Sequence, residues 1–218
     1  MHTTMIKSQV FKTLLLMLTV SVISNFSFAD GSLGAIYKQL GLSEDITYTA
    51  DMDIQMPAQQ NMPAMGPTKV YFKKGAMRTE MEMGGMKLLT ILQKDGTLYA
   101  YNDMTKSWMK THLDQAMKNR PLPQYTKVGD ETVDGLACTK YTMQDTAQGV
   151  TGNIWVFDSM IYKNTIVTPQ NTTTICFKNI KKQDLEDALF SLPAGAQAQD
   201  INAMMQQAQS TGAAAPQK

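Results

Sequence analysis

The residues of this chain with the widest choice of chemistry are its methionines. There are 18 in 218 residues, and the stretch DMDIQMPAQQNMPAMGP at 51–67 carries Met52, Met56, Met62 and Met65. A thioether is a soft ligand that selects Cu(I), and it is also a flexible, polarizable apolar group that moulds itself around irregular partners. Spacing decides which use is open to each. On a strand, Met52 and Met56 share a face but stand about 13 Å apart, too far for one ion, whereas Met81 and Met83 are only about 6.6 Å apart. Met62 and Met65 lie in a loop stiffened by Pro57, Pro63 and Pro67. Met62, Met65, Met81 and Met83 are therefore the candidate ligands of a Cu(I) or Ag(I) site, although two thioethers need a third donor to make a useful one. Met52, Ile54, Met56, Met77, Met81 and Met83 are the candidate wall of an adaptable apolar cavity, or gap-fillers of an ordinary core.

Other chemistry is sparse. Cys138 and Cys176 are the only cysteines. In an oxidising compartment such a pair is expected to form a disulfide, closing a 39-residue loop and contributing roughly 4 kcal/mol. The alternative is two buried thiols, and no third Cys or suitably spaced His completes a zinc site. Beyond the N-terminal segment the one histidine is His112, expected on a helix after SWMKT. No G-x-S-x-G, H-E-x-x-H or G-x-x-x-x-G-K motif occurs. Asp51 with Asp53, and Glu80 with Glu82, alternate outward from apolar faces, so they read as solvated strand faces with Glu80 or Glu82 placed to neutralise Arg78 or Lys87. No catalytic residue and no resident cofactor are assigned, with copper kept as the alternative.

These groups have to be positioned by a fold, and the first 29 residues are not expected to belong to it. Lys7 and Lys12 precede the apolar run LLLMLTVSVI at 14–23, and SFA precedes Asp30, the layout of a secretory signal peptide. A membrane-spanning helix needs roughly 20 apolar residues, about twice this run. No cysteine follows the expected cleavage site, so the mature chain is expected to be periplasmic, without a lipid anchor or a transmembrane segment. Without Lys7 and Lys12 it has 18 basic against 19 acidic residues. That balance argues against a nucleic-acid partner, which calls for a basic excess gathered on one face. The remaining length suits one domain over 30–200, followed by a flexible tail at 201–218 rich in Ala and Gln.

Within the domain the dominant period is two. Tyr48, Ala50, Met52, Ile54 and Met56 alternate with polar residues, as do Met77, Thr79, Met81 and Met83 in AMRTEMEM, so both segments read as half-buried strands. Turn signals at KKG 73–75, GG 84–85 and KDG 94–96 separate TKVYF, MKLLTILQ, LYAYN and SWMK into a meander. LACTKYTM, NIWVF and TTICFKNI follow as further strands. Helices are expected at LGAIYKQL, where Leu33, Ile36, Tyr37 and Leu40 make one apolar stripe, at HLDQAMKN before Pro121, and at KKQDLEDALF before Pro193. Three short helices cannot cover so much sheet on both sides. One face is expected to be closed by helices and loops and the other left to solvent.

The order of a short helix, a long antiparallel meander, VGDETVDGLACTKYTM at 128–143, a pair of strands and ALFSLPAGAQ at 188–197 resembles the lipoprotein-carrier-like (LolA/LolB-like) superfamily. That superfamily includes the periplasmic carrier and the outer-membrane receptor for bacterial lipoproteins. Within it, GAMRTEM with Arg78 after a turn, the Val128–Tyr141 run and F-x-L-P-A-G from Phe190 to Gly195 are most similar to a periplasmic family catalogued as a domain of unknown function. The resemblance implies a mainly β fold with short helices. Its curved antiparallel sheet would form an unclosed β-barrel, capped by helices on the concave face around an apolar cavity for acyl chains. Three functional classes follow: a non-enzymatic binder of a lipid, lipoprotein acyl chain or other apolar ligand, a Cu(I)/Ag(I)-binding protein, and an envelope interaction or sensor domain with no small ligand.

Overall fold

The protein, seen in a computed structural model, is described over residues 33–57, 65–113 and 121–203. The expected signal peptide, Met62, most of the HLDQAMKN segment and the tail beyond residue 203 lie outside the described residues.

Helix α1 (Leu33–Leu40) opens the described chain. It ends in a Schellman turn, with Gly41 at φ 64° and the Leu42 amide donating to the Tyr37 carbonyl at 2.9 Å. A first meander follows, of β1 (Thr47–Gln55), β2 (Met65–Lys73), β3 (Ala76–Met83), β4 (Met86–Leu92), β5 (Thr97–Asn102) and β6 (Ser107–His112). A second comprises β7 (Gln124–Val133), β8 (Leu136–Asp145), β9 (Val150–Phe157), β10 (Met160–Val167) and β11 (Thr172–Lys182). Antiparallel pairing of β1 with β11 joins the two, and the short β12 (Ala198–Asp200) adds in parallel to β6. The result is a 12-stranded sheet in the order β12-β6-β5-β4-β3-β2-β1-β11-β10-β9-β8-β7.

Local chemistry explains the hairpins. Lys74–Gly75, Gly84–Gly85, Asp134–Gly135 and Asp158–Ser159 each have two consecutive positive φ angles, the two-residue turn whose twist matches that of its strands. Bulges interrupt β11 at 178–181, opposite Thr49–Asp51, and also β2 at 65–68, β7 at 127–129 and β10 at 161–163. Each adds local bend and twist, so the sheet curves without closing, as the family resemblance implies.

The main core lies on the concave face. Ile36, Tyr37 and Leu40 of α1, and Leu113 just after β6, cover Tyr48, Ala50, Met52, Val70, Phe72 and Met77 among others. The opposite face is not left to solvent as expected. Residues 183–198 run across β2–β6 and bury Leu185 and Phe190 beside Ile91 and Trp108. Polar ties fix this strap: Lys73 pairs with Asp187 at 2.8 Å, Arg78 Nη1 donates to the Leu189 carbonyl at 3.1 Å, and Gln93 Nε2 donates to the Phe190 carbonyl at 3.2 Å. The helix expected at KKQDLEDALF reduces to one 3-10 turn, Asp187–Phe190. Lys181 and Lys182 are still paired with β1, so the chain leaves β11 extended, and of the strap's residues only Asp187–Phe190 coil.

A second cluster on the outer face holds Val133, Cys138, Trp155, Tyr162 and Cys176. The expected disulfide is absent, and Cys138 and Cys176 are buried free thiols. They lie on β8 and β11, with β9 and β10 between them. Three inter-strand steps separate their α-carbons by about 14 Å, and a disulfide tolerates at most about 7 Å.

Candidate functional site on the concave face

Register places the concave side chains in rows that run across the strands. Tyr48, Phe72, Met77, Leu92 and Leu98 are consecutive partners from β1 to β5, and all are buried. Tyr48 and Phe72 stack with ring centroids 5.2 Å apart. The next row is small: Ala50, Val70, Thr79, Thr90 and Ala100. Beyond it come Met52, Thr68, Met81 and Leu88. Apart from Thr68 in the third row, large, small, large is the relief of a trough, and its floor is apolar except for two threonine hydroxyls that bond each other, Thr79 and Thr90. Alternation of period two with a partner directly opposite is enough to build such rows.

Above this sheet sits α1, held at its C-terminal end by the Ser43 amide donating to the Ser159 carbonyl at 3.0 Å. The void between Tyr37, Leu42, Ile46, Tyr48, Phe72 and Met160 measures about 10 Å³, room for about one water. Burial pushes the phenols of Tyr37 and Tyr48 well above the usual tyrosine range, and burial with Asp145 nearby pushes Tyr125 up to about 12. All three remain neutral at ordinary pH. Among the described residues this face offers mainly dispersion and hydrophobic contact, with the phenols of Tyr37 and Tyr48 and the buried side chains of Thr68, Thr79 and Asn164 as its polar groups.

The sequence-derived positions divide accordingly. Met52, Met77, Met81 and Met83 are buried in the cluster, Ile54 packs against it, and Met56 stands half-buried one residue beyond β1. Of the candidate soft ligands, Met65 packs against the same cluster as Met81 and Met83. One residue escaped sequence reasoning: Met86 stands directly opposite Met83 across the Gly84–Gly85 turn. Among the described residues no three His, Cys, Asp or Glu come together as a metal site. His112 ends β6 rather than starting a helix. It pairs with Thr97, whose Oγ1 lies 3.3 Å from its Nε2, because the alternation of β6 carries the ladder to the strand's last residue. Arg78 is neutralised by Glu80 on its own strand, at 2.7 Å.

Residues 49–172, from β1 to the first residue of β11, match the family described as Domain of unknown function (DUF4412). The chain belongs to this family. Its architecture is one curved antiparallel sheet that does not close into a barrel. No curated protein matches the chain. Among solved structures, it is similar to an uncharacterized conserved protein from Thermus thermophilus. Identity there is 11%, the TM-score is 0.52, and the match covers 72% of this chain and 91% of that one. It is also similar, less closely, to the lipoprotein LppX of Mycobacterium tuberculosis: 10% identity, TM-score 0.43, 70% of this chain and 92% of the other. A third is the MucA/MucB complex of Pseudomonas aeruginosa: 11% identity, TM-score 0.46, 74% of this chain and 61% of the other. At such identities a likeness speaks of fold alone, and of these three only the Thermus protein is close enough to carry even that. No helix among the described residues is long and apolar enough to cross a membrane.

Proposed function

We propose that this member of the DUF4412 family is a non-enzymatic binding protein of the bacterial envelope, exported by its N-terminal segment, that takes an acyl chain or similar apolar ligand against its methionine-lined concave face. The trough of Ala50, Val70, Thr79, Thr90 and Ala100, between one continuous row of large side chains and a second row of Met52, Met81 and Leu88 interrupted by Thr68, carries the reading. A linear hydrocarbon fits such a channel, and the flexible thioethers of Met52, Met77 and Met81 adapt around it. The interior is closed in the present state, so the ligand has to displace a cover. Helix α1 is that cover. It is eight residues long and is followed by Gly41.

The energies make the exchange feasible. Burial of Ile36, Tyr37 and Leu40 stabilises the closed form by about 1.5–3 kcal/mol per side chain, less the cost of ordering the helix. Each methylene of an incoming chain contributes about 0.8 kcal/mol, so eight to ten buried methylenes offset the opening. The test is native mass spectrometry of protein taken from the periplasm, with titration of the delipidated protein by a fluorescent 16-carbon fatty acid. A co-purifying lipid and saturable one-to-one binding are expected. Neither appearing would overturn the proposal.

A further inference from the structure

We infer that Met65, Met83 and Met86 form a three-thioether site for a soft monovalent cation, Cu(I) or Ag(I), at the rim of the concave face. The sequence leaves any pair of thioethers one donor short, and the register supplies the third. Met65 of β2 is the direct partner of Met83 of β3, and Met83 is the direct partner of Met86 of β4. The three thus stand in one row across three adjacent strands, about 5 Å from one to the next. Direct partners project to the same face. Met83 belongs to the main core cluster and Met65 packs on it, which fixes that face as the concave one.

Two local devices hold the row. The Gly84–Gly85 turn, with φ 58° and 79°, allows only two residues between Met83 and Met86 and so forces them into register. On the other side, β2 bulges between Met65 and Thr68. Gly66 in that bulge lies so close to β3 that an added Cβ would stand 3.0 Å from the Glu82 carbonyl oxygen and 3.1 Å from the Glu82 Cβ. The absent side chain lets β2 press onto β3 and brings Met65 over Met83.

The donor set selects the ion. Thioethers are neutral, soft and poor ligands for hard divalent cations, and they bind Cu(I) through its preference for sulfur. Exposure fits as well. Met83 is 2% exposed and supplies the inner donor, while Met65 and Met86 are half-buried and open the site to solvent. An ion there keeps a wet side and avoids full desolvation. Long methionine torsions allow three sulfurs on neighbouring strands to turn toward one point.

The test is Cu(I) titration of the full chain against a competing chelator under anaerobic conditions, with Ag(I) and mass spectrometry giving stoichiometry. Met65→Leu and Met86→Leu conserve volume and leave the core intact. Each is expected to weaken Cu(I) by tenfold or more, and the pair together to abolish one equivalent. Met104→Leu, which alters a 59%-exposed methionine outside the row, and the paired Cys138→Ser, Cys176→Ser variant are expected to change nothing. X-ray absorption of the Cu(I)-loaded wild type should show a shell of three sulfurs. Unchanged affinity in the Met65→Leu, Met86→Leu variant, loss of binding in the cysteine variant, or a shell dominated by nitrogen and oxygen would each overturn the site. Lipid binding is scored separately, so failure here leaves the acyl-chain reading standing.

Discussion

If α1 is the cover of the binding face, weakening it should strengthen binding. Leu40 is the residue to change: it is 1% exposed, it lies in the last turn of α1, and it belongs to the concave cluster. Replacing a fully buried leucine by alanine costs about 2–5 kcal/mol. The lower half of that range applies, because a cover at the edge of a core can settle after truncation. A loss of about 2–3 kcal/mol from the closed form raises the open population roughly 30- to 150-fold, at 1.4 kcal/mol per decade. A ligand that binds only the open form gains the same factor in apparent affinity until the open form predominates. The assay pairs fluorescent fatty-acid titration with amide hydrogen exchange. Leu40→Ala should speed exchange in α1 and leave β3 and β4 protected, while the apparent dissociation constant falls by at least tenfold. Faster exchange in α1 with unchanged or weaker binding would refute the reasoning, because opening would then be irrelevant to the ligand's path.

Three further outcomes follow from features of the fold. Burial raises the pKa of both thiols. A thiol reagent should therefore label neither Cys138 nor Cys176 in the native protein and both after unfolding in urea without reductant; zero labelled thiols after unfolding would mean a disulfide. The Lys73 ammonium beside Asp187 holds its carboxyl below the ordinary 3.8. That ion pair stabilises the fold above about pH 4 and loses its contribution as pH falls through the lowered value, so Asp187→Asn should flatten the acid limb of the stability profile and leave the neutral-to-alkaline limb parallel to wild type. At Gly152 on β9 an added Cβ would strike the Thr165 carbonyl oxygen of β10; Gly152→Ala should destabilise by about 1–3 kcal/mol in urea unfolding, and a change below about 0.5 kcal/mol would show that the two strands can part freely.

Much of this fold is legible in the sequence where alternation is clean. Tyr48, Ala50 and Met52 face inward, as do Met77, Thr79, Met81 and Met83, and the turns between strands carry the glycines that positive φ demands. Legibility fails where a strand breaks the alternation. In β10, Met160, Ile161 and Tyr162 are all buried in succession, and the bulge at 161–163 shifts the register. In β7 most residues are exposed and only Val133 is buried, so no apolar stripe announces the strand. Pairing between distant strands is invisible to spacing, and so two cysteines kept apart by β9 and β10 look like a bond. The outer strap is hidden for a similar reason: the spacing of Leu185, Ala188 and Leu189 suits a helix, but the ties from Lys73, Arg78 and Gln93 come from strands 97 to 112 residues earlier in the chain. Met86 could have been found, since a two-residue turn at Gly84–Gly85 obliges its flanking methionines to face each other.

An unclosed sheet has two borders, and here they are unequal. At one, the three-residue β12 lies over β6 and offers almost no free ladder; at the other, β7 presents ten residues whose outward backbone is unclaimed by any described strand. Short borders, bulges and charges are what keep neighbouring molecules from zipping together, and β7 has the bulge at Gly129 with Lys127, Asp130 and Glu131 around it. Should two copies nonetheless join through β7, each would spend its only long border among the described strands in the act. Such growth stops at a two-fold pair and cannot run on into a fibre.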